Sequence, residues 1–125
     1  MRILVADDNE AVRTGIEKLL TDEAAWELCG SASDGNEAIS KARELKPDLV
    51  LLDLRMPSGN GLDIAKAIKR EMPEIKVVIM SQNDAVHLLP AALNAGALGC
   101  IDKSRLTSDL SALLRTLARE TEDRC

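Results

Sequence analysis

Three apolar runs that do not alternate with polar residues, Ile3-Leu4-Val5-Ala6, Leu49-Val50-Leu51-Leu52 and Val77-Val78-Ile79-Met80, restrict the folds open to this chain more than any other feature. A strand with one wet face alternates, whereas an unbroken apolar run of this length reads as a strand covered on both faces. Weaker strand candidates run from Trp26 to Ala32 and from Leu98 to Ile101. Between them, Val12, Ile16, Leu19 and Leu20, and then Ala38, Ile39, Ala42 and Leu45, recur at the spacing of one apolar helix face. Further helical patterns pass through Leu62, Ala65 and Ile68, and through Leu106, Leu110, Leu113, Leu114 and Leu117. The order is β-α repeated five times, which right-handed crossovers convert into an open parallel sheet with helices on both sides. In such sheets function gathers at the carboxyl ends of the strands, where the strand order reverses.

Boundary residues agree with this order. Asp34 followed by Glu37 is a capping-box-like helix start, Pro47 stops the second helix, Pro73 follows the third, and Gly96 suits a left-handed helix end. Pro90 is welcome in a first helical turn and poorly tolerated in an interior, which predicts a long loop from Ser81 and a short fourth helix starting near Leu89. The leucines of the last helix either all cover the sheet or leave a strip exposed for self-association.

Composition excludes several classes of function. A length of 125 residues leaves room for one domain. With 16 Lys and Arg against 21 Asp and Glu, the net charge of −5 lacks the basic footprint of phosphate-backbone binding, so this domain is not expected to bind nucleic acid. Trp26 is the only aromatic residue, leaving nothing to stack on a base or a flavin ring. No apolar run approaches the roughly 20 residues of a membrane span, and the chain enters a strand directly rather than through a signal peptide, so a cytoplasmic location is expected. Cys29, Cys100 and Cys125 lack metal-ligand spacing and read as reduced thiols, and His87 reads as a surface helix residue.

The strand ends carry the chemistry. Asp7 and Asp8 follow the first predicted strand, Asp53 the third, Ser81 the fourth and Lys103 the fifth. Each has a dull explanation alone: Asp7, Asp8 and Asn9 as a helix cap, Asp53 as a turn former, Lys103 as a solvated charge. Their coincidence at four of five strand ends favours one shared crevice. Carboxylates gathered there repel by up to about 4 kcal/mol for a pair 4 Å apart, so the crevice calls for a cation. Oxygen-only ligands point to Mg²⁺, which commonly bridges carboxylates to a phosphoryl oxygen.

Several motifs occur together: Ile3-Leu4-Val5-Ala6-Asp7-Asp8-Asn9, Pro47-Asp48-Leu49-Val50-Leu51-Leu52-Asp53-Leu54-Arg55-Met56-Pro57, Gly59-Asn60-Gly61, and Ala95-Gly96-Ala97-Leu98-Gly99 leading to Lys103. In this order they resemble the receiver domain of two-component response regulators, the CheY-like superfamily, and most closely the receivers of NarL/FixJ (LuxR-type) transcription regulators. The resemblance covers about residues 1–119 and leaves 120–125 as a solvated tail or the start of a linker. It implies a flavodoxin-like, CheY-like α/β three-layer sandwich whose five-stranded parallel sheet has the order 2-1-3-4-5. With that order, Cys29 and Cys100 fall on opposite edges, roughly 19 Å apart, too far for a disulfide.

The resemblance also implies roles. Asp53 would accept the phosphoryl group from a sensor histidine kinase. Asp8 would bind Mg²⁺ directly, Asp7 largely through water, and the Arg55 backbone carbonyl would be a further ligand. Lys103 would pair with one phosphoryl oxygen and Ser81 would hydrogen-bond another. Arg55 and Asn83 would line the approach of the hydrolytic water. The whole would be a signalling module that catalyses its own phosphorylation and dephosphorylation, dimerises on phosphorylation, and regulates transcription through a C-terminal DNA-binding domain absent from this chain. Three departures from the family pattern stand out: Cys100 where an aromatic switch residue is common, Gln82 beside the hydroxyl, and Ser104 instead of proline after Lys103, which favours a trans bond there.

Other readings compete. An aspartyl-phosphate Mg²⁺ phosphatase usually carries a second Asp two positions after its nucleophile, and a cap domain; here Asn9 stands two positions after Asp7. A nucleotide or flavin carrier would need a Gly-rich loop after the first strand. A stand-alone or phosphorylation-independent docking module remains the alternative to the phosphorylated receiver.

Overall fold

In a computed structural model that describes residues 1–57, 59–82 and 85–123, the unalternating apolar runs are the central strands. The elements in order are β1 (Arg2–Ala6), α1 (Glu10–Leu20), β2 (Glu27–Ala32), α2 (Gly35–Leu45), β3 (Leu49–Asp53), β4 (Arg55–Met56), β5 (Gly59–Asn60), α3 (Gly61–Glu71), β6 (Lys76–Ser81), α4 (Ala85–Asn94), β7 (Gly99–Asp102), a 3₁₀ turn (Lys103–Arg105) and α5 (Leu106–Asp123). The five-stranded sheet has the order β2-β1-β3-β6-β7, and every pair in it is parallel. This is the expected 2-1-3-4-5 order. The numbering shifts only because β4 and β5 form a separate two-residue antiparallel hairpin, too short to be read from the sequence.

Successive strand residues feed opposite layers. Leu4, Ala6, Val50, Leu52, Val77 and Ile79 pack with α2, α3 and α4. Ile3, Val5, Leu49, Leu51, Val78 and Met80 pack with α1 and α5. The eight residues Ile3 to Ala6 of β1 and Leu49 to Leu52 of β3, which face one layer or the other, are fully buried, and each large aliphatic side chain among them contributes about 1.5–3 kcal/mol relative to exposure. Trp26, also buried, donates its indole N–H to the Leu114 carbonyl at 2.9 Å and ties the entry of β2 to α5.

The helix ends follow their residues. Asn9 caps α1 through Ala11 N and Val12 N, Asp34 caps α2 through Glu37 N, and Asn60 caps α3 through Leu62 N. The Glu37 carboxylate accepts from Ser33 N at 2.6 Å, so its return bond falls one residue ahead of the Asp34 cap. Gly96, with φ of 97°, follows α4 in the left-handed region.

One expectation is corrected and one open alternative is decided. The fourth helix does not start near Leu89 but spans Ala85–Asn94 with Pro90 inside it. Pro90 has no N–H to offer the Val86 carbonyl, yet both residues lie on the exposed face, where water can take the freed carbonyl. Ala92 on the opposite face and Ala95 just after the helix are buried in the core and supply the packing that holds it. The last helix exposes no leucine strip: Leu110, Leu114 and Leu117 are buried, and Leu106 and Leu113 pack partly against the same core. The exposed apolar face belongs instead to α4 and the turn after it, with Val86, Leu89, Leu93 and Leu98.

The backbone of the expected tail is helical as far as Asp123, while Arg124 and Cys125 lie outside the described residues. Cys29 and Cys100 lie on the opposite edge strands β2 and β7, unbridged. His87 is exposed on α4. The described peptide bonds are all trans, that after Lys103 included. Among the described residues, no helix is long and apolar enough to cross a membrane.

Candidate functional site

The β1–α1 turn presents the acid pair. Asp7 N donates to the Ala32 carbonyl at 2.9 Å, extending the β1–β2 ladder by one residue and pointing the Asp7 side chain over the strand ends. Asp7 Oδ1 accepts from Asn9 N at 2.8 Å, and Asn9 in turn caps α1. The capping role is therefore real but belongs to Asn9; Asp7 braces it with one oxygen and keeps the other for the crevice. Asp8 is exposed.

Asp53, the last residue of β3, is 6% exposed. Ser81, the last residue of β6, is 2% exposed. Lys103 opens the 3₁₀ turn after β7 and reaches back across the sheet, with Nζ 2.7 Å from Asp7 Oδ2 and 3.0 Å from Asp53 Oδ1. Asp102 caps that turn through Ser104 N, which sets the point from which the lysine departs. Residues nearly a hundred positions apart thus share one ionic cluster.

The electrostatics are those of a charged site under a partial roof. Burial raises the Asp53 carboxyl above its ordinary range, and the Asp7 carboxylate adds to the rise; Lys103 and the Arg55 N–H, 3.4 Å from Oδ1, act against it. Burial acts to lower the Lys103 ammonium, but Asp7 and Asp53 together more than offset it, so its pKa is raised. The Asp7 Oδ2–Lys103 contact is short in distance but lacks hydrogen-bond alignment, and Asp7 Oδ2 has no directed partner. The buried Ser81 hydroxyl has none either. Native proteins seldom leave buried polar atoms unmatched, and such atoms mark a place made for something else.

Asp7, Asp8 and Asp53 each offer a carboxylate oxygen, all within 4.8 Å of one another. An all-oxygen donor set with two buried members fits a hard divalent cation such as Mg²⁺. Beside it lies a cavity of about 300 Å³ lined by Asp53, Leu54, Arg55, Ser81, Gln82 and Lys103. Gln82 is exposed at its rim, and Asn83 lies outside the described residues. Cys100 on β7 packs partly against the α2–α3–α4 layer. The six expected site residues Asp7, Asp8, Asp53, Arg55, Ser81 and Lys103 thus meet at one end of the sheet.

Arg13 escaped the sequence reading. Its Nη1 donates to the Asp7 carbonyl at 2.5 Å, clamping the acidic turn from the first turns of α1. Nothing about a lone arginine in an amphipathic helix announces that contact, because its partner is a backbone atom.

A family model described as the response regulator receiver domain matches residues 3–115. The response regulator GacA of Pseudomonas viridiflava is 38% identical over 115 residues, covering 92% of this chain and 54% of that protein. The response regulator protein VraR of Staphylococcus aureus is 36% identical over 119 residues, covering 95% of this chain and 57% of that protein. The chain therefore spans little more than half the length of these curated relatives. Among solved structures, the isolated receiver domain of RcsB from Salmonella enterica serovar Typhimurium, in the presence of the phosphomimetic BeF₃⁻, superposes with a TM-score of 0.87 at 28% identity, covering 95% of this chain and 88% of that one.

Proposed function

The chain belongs to the response regulator receiver family, and from that premise we propose that Asp53 accepts a phosphoryl group from the phosphohistidine of a sensor histidine kinase. A carboxylate oxygen of Asp53 attacks phosphorus, the phosphorus–nitrogen bond breaks, and the histidine leaves with its electron pair and is protonated. The product is an acyl phosphate. Transfer of this kind depends on in-line placement and charge neutralisation rather than on a strong base. Lys103, already between the two buried carboxylates, favours the ionised nucleophile and turns to a phosphoryl oxygen as charge arrives. Ser81, whose hydroxyl is buried and unpartnered at the cavity wall, donates to a second oxygen. Mg²⁺ held by Asp8, Asp7, Asp53 and the Arg55 carbonyl would supply further positive charge.

The observation that carries this reading is the Lys103 ammonium held within 3.0 Å of both Asp7 and Asp53, beside a cavity roomy enough for a phosphoryl group and walled by an unused hydroxyl. Water then attacks phosphorus, releasing phosphate and restoring the carboxylate, with Arg55 and Asn83 setting the lifetime. Engagement of Ser81 draws on the segment leading into α4, whose apolar outer face, with β7, is the surface to be switched. Cys100 has no ring to swing, so the coupling uses a different packing change or is weaker than in relatives with an aromatic residue there. The domain works in the cytoplasm, as a signalling module and not as an enzyme on a separate substrate. It dimerises on phosphorylation, and it regulates transcription through a DNA-binding domain outside this chain. The relatives' greater length and the phosphomimetic used with RcsB support this reading.

A small acyl phosphate donor with Mg²⁺ is expected to add one base-labile phosphoryl group by mass spectrometry, and Asp53→Asn to remove it. Labelling at another residue defeats the assignment, and no labelling leaves a phosphorylation-independent docking module. Mg²⁺ affinity is expected to fall in Asp8→Ala, measured by calorimetric titration; an unchanged affinity removes Asp8 from the metal site.

A further inference from the structure

The motif Gly59-Asn60-Gly61 has no part in the chemistry above, yet its last residue touches the phosphoacceptor's own peptide. A Cβ built on Gly61 would lie 2.5 Å from the Asp53 carbonyl oxygen, 2.9 Å from Leu54 Cα and 3.2 Å from the Asp53 carbonyl carbon. All three are backbone atoms, so no flexible side chain can swing aside. Ordinary contact begins near 3.4 Å, and the two segments would have to separate by most of an ångström. Gly61 N also donates to the Leu54 carbonyl at 2.7 Å, while Leu54 N donates to the Met80 carbonyl at 2.9 Å. The peptide leaving Asp53 is thereby gripped from two sides, by β6 and by the first residue of α3.

We infer that Gly61 is a positioning residue for phosphoryl transfer: its missing side chain lets the start of α3 lie on the Asp53–Leu54 backbone and set where the Asp53 carboxylate stands relative to Asp7 and Lys103. The other glycines give the contrast. At Gly15 an added Cβ meets nothing within 4 Å, and at Gly30 it meets only the tips of Leu45 and Leu4, which can give way. At Gly61, unlike at Gly15, Gly30, Gly59, Gly96 or Gly99, the obstacle is the backbone of the nucleophile itself. A misplacement of about 1 Å at a reacting group costs on the order of 100-fold in rate.

This inference rests on the phosphoacceptor reading, and the experiment separates the two. The full chain, Gly61→Ala and Gly30→Ala are labelled by a small acyl phosphate donor with saturating Mg²⁺, each under conditions where circular dichroism shows it folded. Gly61→Ala is expected to label about 100-fold more slowly, with the loss in the maximal rate and not in the donor concentration that gives half of it. Gly30→Ala, which perturbs packing away from the pocket, is expected to keep the parent rate. A Gly61→Ala rate within threefold of the parent overturns the inference. If Gly61→Ala does not fold, the helix caps decide: Asn60→Ala loosens the start of α3, and Asp34→Ala loosens α2, which packs mainly on β1, β2 and α3. Slower labelling in Asn60→Ala alone supports the inference, and equal rates overturn it. Failure of the parent chain to label at Asp53 overturns the reading beneath it.

Discussion

At the amino end of the sheet, Arg2 N donates to Asp48 Oδ2 at 2.7 Å, Asp48 N to the Arg2 carbonyl at 2.9 Å, and Lys76 N to the Asp48 carbonyl at 3.1 Å. The Met1 ammonium takes the Ala25 carbonyl at 2.6 Å, and the Arg2 guanidinium takes that of Leu45, so charge and backbone close on each other. At the carboxyl end, three charged groups crowd together in partial burial, with Asp7 Oδ2 and the Ser81 hydroxyl lacking directed partners. The same strands supply both ends. One end is satisfied and holds the strands in register, while the other keeps unspent interactions for a ligand at some expense in stability.

The largest expected effect tests whether the ammonium really compensates the crowded end. Lys103→Met leaves two buried carboxylates facing each other and is expected to lower stability by about 3 kcal/mol in urea unfolding without magnesium. An unchanged midpoint would mean that water already does the lysine's work. At the opposite end, Asp48→Ala removes the acceptor of Arg2 N and is expected to lower stability by about 1 kcal/mol while leaving Asp53 labelling intact. A change in labelling would show that the two ends are coupled.

Asp53→Asn is expected to raise stability by about 1 kcal/mol at neutral pH in magnesium-free buffer. Burial, with Asp7, raises the Asp53 carboxyl, so the folded chain binds that proton more tightly than the unfolded chain. The penalty on the ionised form is full above the folded pKa and fades as pH falls through it toward the unfolded value. The advantage of Asp53→Asn should therefore shrink on acidification, and a constant advantage would place its origin elsewhere. The smallest effect concerns neither end. The Arg43 guanidinium, 2.5 Å from exposed Glu71, lowers that carboxyl and itself rises. This pair contributes above the unfolded pKa of Glu71 and is lost as pH falls through the folded one. In Arg43→Ala, an NMR titration should return Glu71 to the ordinary carboxylate range with little change in melting.

Local patterns carried much of this in the sequence. The unalternating runs of β1, β3 and β6 imply two covered faces, and polar residues ending those runs mark one edge of the sheet as a site. Asp34 with Glu37, and Gly96 after its apolar stretch, mark helix ends because caps are made by near neighbours. Pro90 is the exception: its cost is local to its own helix, whereas the packing of Ala92 and of the following Ala95 that outweighs it comes from the core beneath.

By itself, the sequence determined the parallel three-layer architecture and the gathering of Asp7, Asp8, Asp53, Ser81 and Lys103 at one end, since periodicity and element order are local properties that survive without coordinates. Only the tertiary structure decided that α5 buries its leucines while α4 shows its own, that Arg13 clamps the Asp7 carbonyl, and that Gly61 lies against the backbone of Asp53. Each of those depends on contact distances between segments remote along the chain, which packing sets and no residue pattern records.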